Sequence, residues 1–361
     1  MEPFMLLPRY RQDGLTAAIT YFAKNCITDN MKKIILLLTL SLSFTSLLHA
    51  QKPKNIPVIF DTDMGPDYDD VGAIALLHYF EDKGNATILA TMASSSHSNI
   101  AATLSVLNTY FKRPEIPVGV PKAPADTMRD FQHWTDSLIS KYPHHIKNND
   151  EAEDAVKLYR KILSAQKNKS VTIVTVGFFT NLSGLLRSRP DEYSLLTGRE
   201  LVQQKVKQLV SMAGMFPTGI EFNVVRDKEA AKYVFEQWPT KIIISGFEIG
   251  KNIKTGIPLI RSEKIQNSPV KDAFRISIPL SPQDSAGRMS WDETAVLVAI
   301  AGYEPWYDLE QGILTVNAAD GSNAWIRNTR GTHYKLVEKT PSAVVEELIN
   351  NMMMHEPKNN K

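Results

Sequence analysis

The chain has 361 residues, 43% of them hydrophobic and 22% charged, which suits a globular protein of one large α/β domain or two smaller ones. Residues 1–50 hold five of the 41 Lys and Arg and three of the 39 Asp and Glu, so the remainder is formally neutral. That balance excludes a basic face for nucleic acid or an anionic membrane, and the single cysteine, Cys26, excludes disulfide and thiol chemistry from everything after it.

The first predicted element is a processing segment. From Met31 the sequence runs Met-Lys-Lys, then an apolar stretch over 34–48, then His49-Ala50. A basic start, a short apolar run and a small terminal residue read as a secretory signal peptide. The run is too short and ends too abruptly for a membrane span. Residues 1–50 are therefore a leader and signal peptide with the start at Met31, and 51–361 a single mature domain. The expectation is a secreted protein, periplasmic in a host with two membranes, without stable membrane association after processing.

The run Ile56-Pro57-Val58-Ile59-Phe60 is apolar and reads as a buried strand. It is followed by Asp61-Thr62-Asp63-Met64-Gly65-Pro66-Asp67-Tyr68-Asp69-Asp70, with five carboxylates and no base, and then by a helix over the apolar residues from Val71. One or two acids there would cap the helix start. Five would repel one another, and a hard cation bound by oxygen resolves the repulsion.

Further along, 86–93 is a second strand, a Ser-rich turn leads into a helix ending near Phe111, and 116–120 is a short third strand. Residues 121–150 are polar and irregular, the place for a loop or small helical excursion. A helix over 151–166 precedes a buried strand over 171–177, and Thr180-Asn181-Leu182 opens the next helix. Strands follow over 206–214 and 241–246, with a loop at 215–223 and a helix over 227–237 between them. Trp291-Asp292-Glu293 begins an apolar helix; 312–317 and 332–337 form a late strand pair; 341–354 is a final helix. Strands alternating with helices predict an α/β fold, an open, mostly parallel sheet flanked by helices with a Rossmann-like core.

In such a sheet the strand ends share one edge, so distant segments converge there. Convergence would offer a cation carboxylates from Asp63, Asp70 and Asp292 and the backbone carbonyl of Thr180. That all-oxygen set suits Ca²⁺ better than Zn²⁺.

The Asp-Thr-Asp-x-Gly loop ending in Asp69-Asp70, the Gly177-x-x-Thr180-Asn181-Leu182 segment, Glu221-Phe222-Asn223 and the late Asp292 resemble, in that order, the inosine–uridine-type nucleoside hydrolases. The resemblance runs from about Ile56 to the C-terminus and implies a nucleoside hydrolase fold, a dimer or tetramer, and hydrolysis of ribonucleosides with bound Ca²⁺. It makes Asp63 both a calcium ligand and the base for the attacking water, Asp70 and Asp292 ligands, and Thr180 a ligand through its carbonyl. Asp69 would bind a ribose hydroxyl, Glu221 and Asn223 would hold the sugar, and Asp61 would stand behind the ligands. Asp67 inherits no role and lies in a two-residue extension of the loop.

The chain also departs from that pattern. Trp291 stands where many members have a His thought to protonate the leaving base; a purine-preferring branch has Trp there, stacking on the base. His97 and His133 are the remaining candidates for an acid, and either Ser96 or Asn99 could contact the ribose. The alternatives are an exported, non-catalytic nucleoside-binding protein and a hydrolase of a different N-riboside. A haloacid dehalogenase-type phosphatase is disfavoured, because Gly65 stands where that motif needs Thr or Val.

Overall fold

The computed structural model describes residues 55–357, so the predicted leader and signal peptide lie outside the described residues. The first strand, β1 (Ile56–Thr62), is apolar because both its faces are covered: Val58 and Phe60 enter one hydrophobic cluster and Ile59 enters another. It pairs in parallel with β2 (Ala86–Ala93) on one side and β5 (Val171–Thr175) on the other. Beyond β2 lie β3 (Val118–Val120) and β4 (Glu153–Asp154); beyond β5 lie β6 (Val206–Met212) and β8 (Lys241–Ser245). The chain thus winds outward from β1 in both directions, leaving a switch point between β1 and β5, where doubly wound sheets bind their ligands.

The parallel part ends at β13 (His333–Glu338), which pairs in parallel with β8 and antiparallel with β11 (Tyr307–Val316). β12 (Ser322–Arg327) and β7 (Thr218–Ile220) complete the 11-stranded sheet. A separate pair, β9 (Lys254–Thr255) and β10 (Arg288–Met289), is antiparallel. The mostly parallel α/β sheet agrees with the sequence-based expectation. β7, β12 and the two-residue strands β4, β9 and β10 are the strands not predicted, and β4 takes the start of the stretch predicted as a helix over 151–166. β7 is three residues long with Gly219 at its centre, and its pairing comes from tertiary context rather than local propensity. The irregular stretch after β3 contains one short helix, Trp134–Lys141.

Two helices position the acids. Asp69–Asp82 and Trp291–Ala301 are buried on nearly all sides, as expected for apolar helices without a solvent stripe. Gly72 allows them to meet, since a Cβ there would run into the carboxylate of Glu293. Among the described residues no helix is long and apolar enough to cross a membrane.

Candidate active site

The acidic loop leaves the carboxyl end of β1 at the switch point. Asp61, still on the strand, turns away from the cavity and accepts hydrogen bonds from Tyr159 Oη (2.7 Å) and Asn181 Nδ2 (3.2 Å). It therefore stands behind the acids, as the resemblance implied, and burial raises its carboxyl to about 7. Thr62 Oγ1 donates to Asp70 Oδ1, tying the strand end to the helix start. The loop after β5 lies directly against Asp63: a Cβ at Gly177 would overlap the Asp63 backbone nitrogen and Ser94 Oγ, so only glycine permits this approach.

One carboxylate oxygen from each of Asp67, Asp69, Asp70 and Asp292 lies within 4.8 Å of the others. Asp63 lines the same cavity as Asp67, Asp69 and Asp292. Burial pushes the carboxyls of Asp63, Asp70 and Asp292 well above the usual range, and neighbouring acids push them further: Asp67 acts on Asp63, Asp63 on Asp70, and Asp69 on Asp292. Asp69 rises to about 7 through burial, against the opposing charge of Arg288. Asp70 Oδ2 is buried without a hydrogen-bond partner. An orphaned buried carboxylate oxygen beside mutually repelling acids fits a hard divalent cation, and these residues could hold one.

The cavity has a volume of about 340 Å³. Its polar wall includes Glu221 and Asn223. Glu221 caps the helix Phe222–Arg226, accepting from the backbone nitrogens of Asn223 (2.8 Å) and Val224 (3.1 Å), and also from Gly214 (3.1 Å). Asn223 Nδ2 donates to the Val176 carbonyl at 3.0 Å. Its apolar wall comprises Phe222, Phe247 and Trp291; Phe247 and Trp291 stack with centroids 5.2 Å apart, and the Trp291 indole donates to the Phe247 carbonyl at 2.7 Å. A larger, open cavity of about 690 Å³ near Tyr110 and Tyr142 gathers no comparable acids.

The structure thus brings Asp63, Asp69, Glu221, Asn223, Trp291 and Asp292 to one cavity, with Asp70 behind it in the acid cluster. It does not bring Thr180. That residue is the first of the helix Thr180–Arg187, its hydroxyl donates to Asp227 at 2.7 Å, and it does not line the cavity. Val176, the first residue past β5, does line the cavity, and its carbonyl accepts from Asn223 Nδ2.

Neither histidine candidate is placed to protonate a leaving base. Burial lowers the His97 pKa below the usual histidine value; its Nε2 donates to the Met64 carbonyl (2.7 Å) and its Nδ1 accepts from the Asn99 nitrogen (3.3 Å), so both ring nitrogens are engaged. His133 is exposed and pairs with Asp136 at 3.1 Å. Ser96 bonds the carbonyls of Ala125 and Asp126, while Asn99 donates to Asp136 and Thr135; neither lines the cavity. Sequence reasoning missed Phe247, which follows β8 at the same sheet edge, and Arg288, for which only its nearness to Trp291 was a hint.

A doubly wound sheet with oxygen donors gathered at its switch point defines the class: an α/β protein with an acidic cluster that could hold a metal ion beside a ligand cavity. More particularly, the chain belongs to the inosine-uridine preferring nucleoside hydrolase family, whose model matches residues 58–347. The pyrimidine-specific ribonucleoside hydrolase RihA of Salmonella schwarzengrund is 26% identical over 203 residues, covering 54% of this chain and 61% of the relative. The inosine-uridine preferring nucleoside hydrolase of Leishmania major is 26% identical over 197 residues, covering 52% and 59%. The chain thus spans about three fifths of the length of these curated relatives. The plant nucleoside hydrolase PpNRh1 shares the fold, with a TM-score of 0.64 at 20% identity over 84% of this chain and 99% of that one.

Proposed function

We propose that this chain is an exported, calcium-dependent N-glycosyl hydrolase that cleaves ribonucleosides to ribose and free base, with purine nucleosides favoured. The observation that carries the reading is the oxygen-only cluster of Asp67, Asp69, Asp70 and Asp292 beside Asp63, with the orphaned Asp70 Oδ2 among them. Asp63, Asp70 and Asp292 are the side chains that would hold the ion, and the ion would supply Lewis-acid activation of water.

Asp63 accepts the proton of the attacking water, a role suited to a buried carboxylate with raised proton affinity. The surrounding acids stabilise positive charge as it grows on the sugar. Asp69, Glu221 and Asn223 receive the ribose hydroxyls and fix the ring, so that water meets the face opposite the base. Direct attack implies inversion at the anomeric carbon. Trp291, Phe247 and Phe222 offer the base an apolar aromatic wall, and that wall is the ground for a purine preference. The named relatives act on pyrimidine or on inosine and uridine substrates, so base preference is decided by test.

Reducing-sugar release is measured from inosine, guanosine, adenosine, uridine and cytidine, with calcium and after chelation, for the wild type and Trp291→Ala. The expected result is calcium-dependent release, faster from purines, with the purine advantage lost in Trp291→Ala. Equal release from pyrimidines removes the aromatic-wall argument and leaves the hydrolase reading standing. Nucleoside binding without release makes the protein a capture protein and overturns the catalytic reading.

A further inference from the structure

The acid cluster contains a cation of its own. Arg288 Nη2 lies 2.5 Å from Asp67 Oδ2 and 2.7 Å from Asp69 Oδ1, its Nε donates to Asp69 Oδ1 at 2.9 Å, and Nη1 stands 3.7 Å from Asp284. The side chain is almost fully buried, with only 8% exposed. Its guanidinium lies 5.2 Å from the Tyr68 ring and 5.1 Å from the Trp291 ring, and Tyr68 Oη donates to Asp284 Oδ2 at 2.7 Å. β10 fixes its backbone against β9. Asp67, which inherits no role, and its neighbour Tyr68 thus engage the segment that carries Arg288 and Asp284.

Four carboxylates lie close enough to share one ion, yet they are not equivalent. Asp69 Oδ1 accepts two bonds from Arg288, while its Oδ2 faces the backbone nitrogens of Trp291 (3.2 Å) and Asp292 (3.4 Å). Asp67 is partly exposed and held by the same fork. Asp70, by contrast, has a buried oxygen with no partner. A guanidinium grips planar carboxylates in a fixed geometry that an ammonium cannot reproduce.

We propose that Arg288 partitions the acidic cluster, holding Asp67 and Asp69 out of the ligand set and leaving Asp63, Asp70 and Asp292 to the cation. Arg288 is then a positioning residue with two effects. Its fixed positive charge weakens calcium binding, and its fork aims Asp69 at the sugar. This rests on the calcium-dependent reading above.

The test is isothermal titration of Ca²⁺ into chelator-stripped protein, together with KM for inosine. Wild type is measured first: absence of calcium binding defeats the calcium reading itself, separately from the role of Arg288. If wild type binds, Arg288→Gln frees two carboxylates and removes a like charge, so calcium binds at least about tenfold tighter while KM rises. Arg288→Lys keeps the charge and loses the fork; calcium affinity stays within about threefold of wild type and KM rises. A residue that merely braces the fold would loosen calcium in both variants. Calcium binding in Arg288→Gln that is unchanged or weaker overturns the proposal.

Should Arg288→Gln not fold, Asp67→Asn and Asp70→Asn decide the matter. Asp70→Asn is expected to lose at least about tenfold more calcium affinity than Asp67→Asn. Equal losses place Asp67 among the ligands and overturn the partition.

Discussion

Calcium should stabilise this protein more at neutral than at acidic pH, and the size of the change follows from the acid cluster. A carboxyl whose folded pKa is raised keeps its proton in the native state while the unfolded chain has already lost it. The stability such a group contributes is fully present below its unfolded pKa and is lost as pH rises through the folded value. Asp69 is raised from 3.8 to about 7, and Asp63, Asp70 and Asp292 are also raised well above the usual carboxylate range, so the metal-free protein loses stability across about pH 4 to 7. One such group contributes about 1.4 kcal/mol per pH unit. His78 and His333 act oppositely: burial lowers them to about 3 and about 4, so they are neutral when folded and favour the native state as pH rises towards the unfolded histidine value. The raw melting curve of the metal-free protein therefore mixes two trends. The difference between calcium-loaded and chelated samples cancels the histidines and isolates the acids, whose protons the ion displaces. If only one proton is displaced, that difference grows by about 3 kcal/mol between about pH 5 and about pH 7. At about 2 °C per kcal/mol for a chain of this size, the gain is about 6 °C. Differential scanning calorimetry with calcium and with chelator, over that range, measures it. A calcium-dependent shift that is constant or shrinks as pH rises would refute the assignment of these acids to the ion.

Other outcomes are fixed by single side chains. Asp63→Asn removes the proposed proton acceptor without changing its shape, and kcat is expected to fall by about 10²–10⁴-fold; stopped assays of ribose release over hours resolve that range, and near-wild-type kcat removes Asp63 from the base role. Thr180→Ala loses the hydroxyl bonded to Asp227 but nothing at the cavity, so calcium affinity stays at the wild-type value while thermal stability drops by about 1 kcal/mol. Calorimetric titration and melting of the same preparation separate the two effects.

The contrast between Thr180 and Val176 shows what a sequence of this kind reveals and what it withholds. A parallel sheet announces its strand ends, because an apolar run such as that of β1 stops abruptly at acidic residues and that of β5 at a glycine. Hence the convergence of Asp63, Asp69, Asp70, Glu221, Asn223, Trp291 and Asp292 was readable from strand and helix boundaries and from the order of the motifs. Which backbone group faces the cavity is a finer matter. It depends on where the helix begins, and the Thr180 hydroxyl is bonded to Asp227, whose position is set 47 residues away by another helix. β7 was missed for a related reason: an edge strand takes its pairing from its neighbour rather than from its own pattern.

The five carboxylates of the acidic loop pose the same difficulty in its sharpest form. Chemically they are identical, and spacing alone gives no means of dividing them between a metal ion, a sugar and the protein. The division is made from the far side of the chain, by Arg288 binding Asp67 and Asp69 across more than 200 residues, and by Tyr159 and Asn181 withdrawing Asp61. Charge repulsion, readable in the sequence, says that something positive must sit among these acids. One cation, Arg288, is borne by the protein, and the proposed function adds a second taken from solution. The raised pKa values of Asp63, Asp70 and Asp292, together with the orphaned oxygen of Asp70, mark the carboxylates that Arg288 leaves unmet.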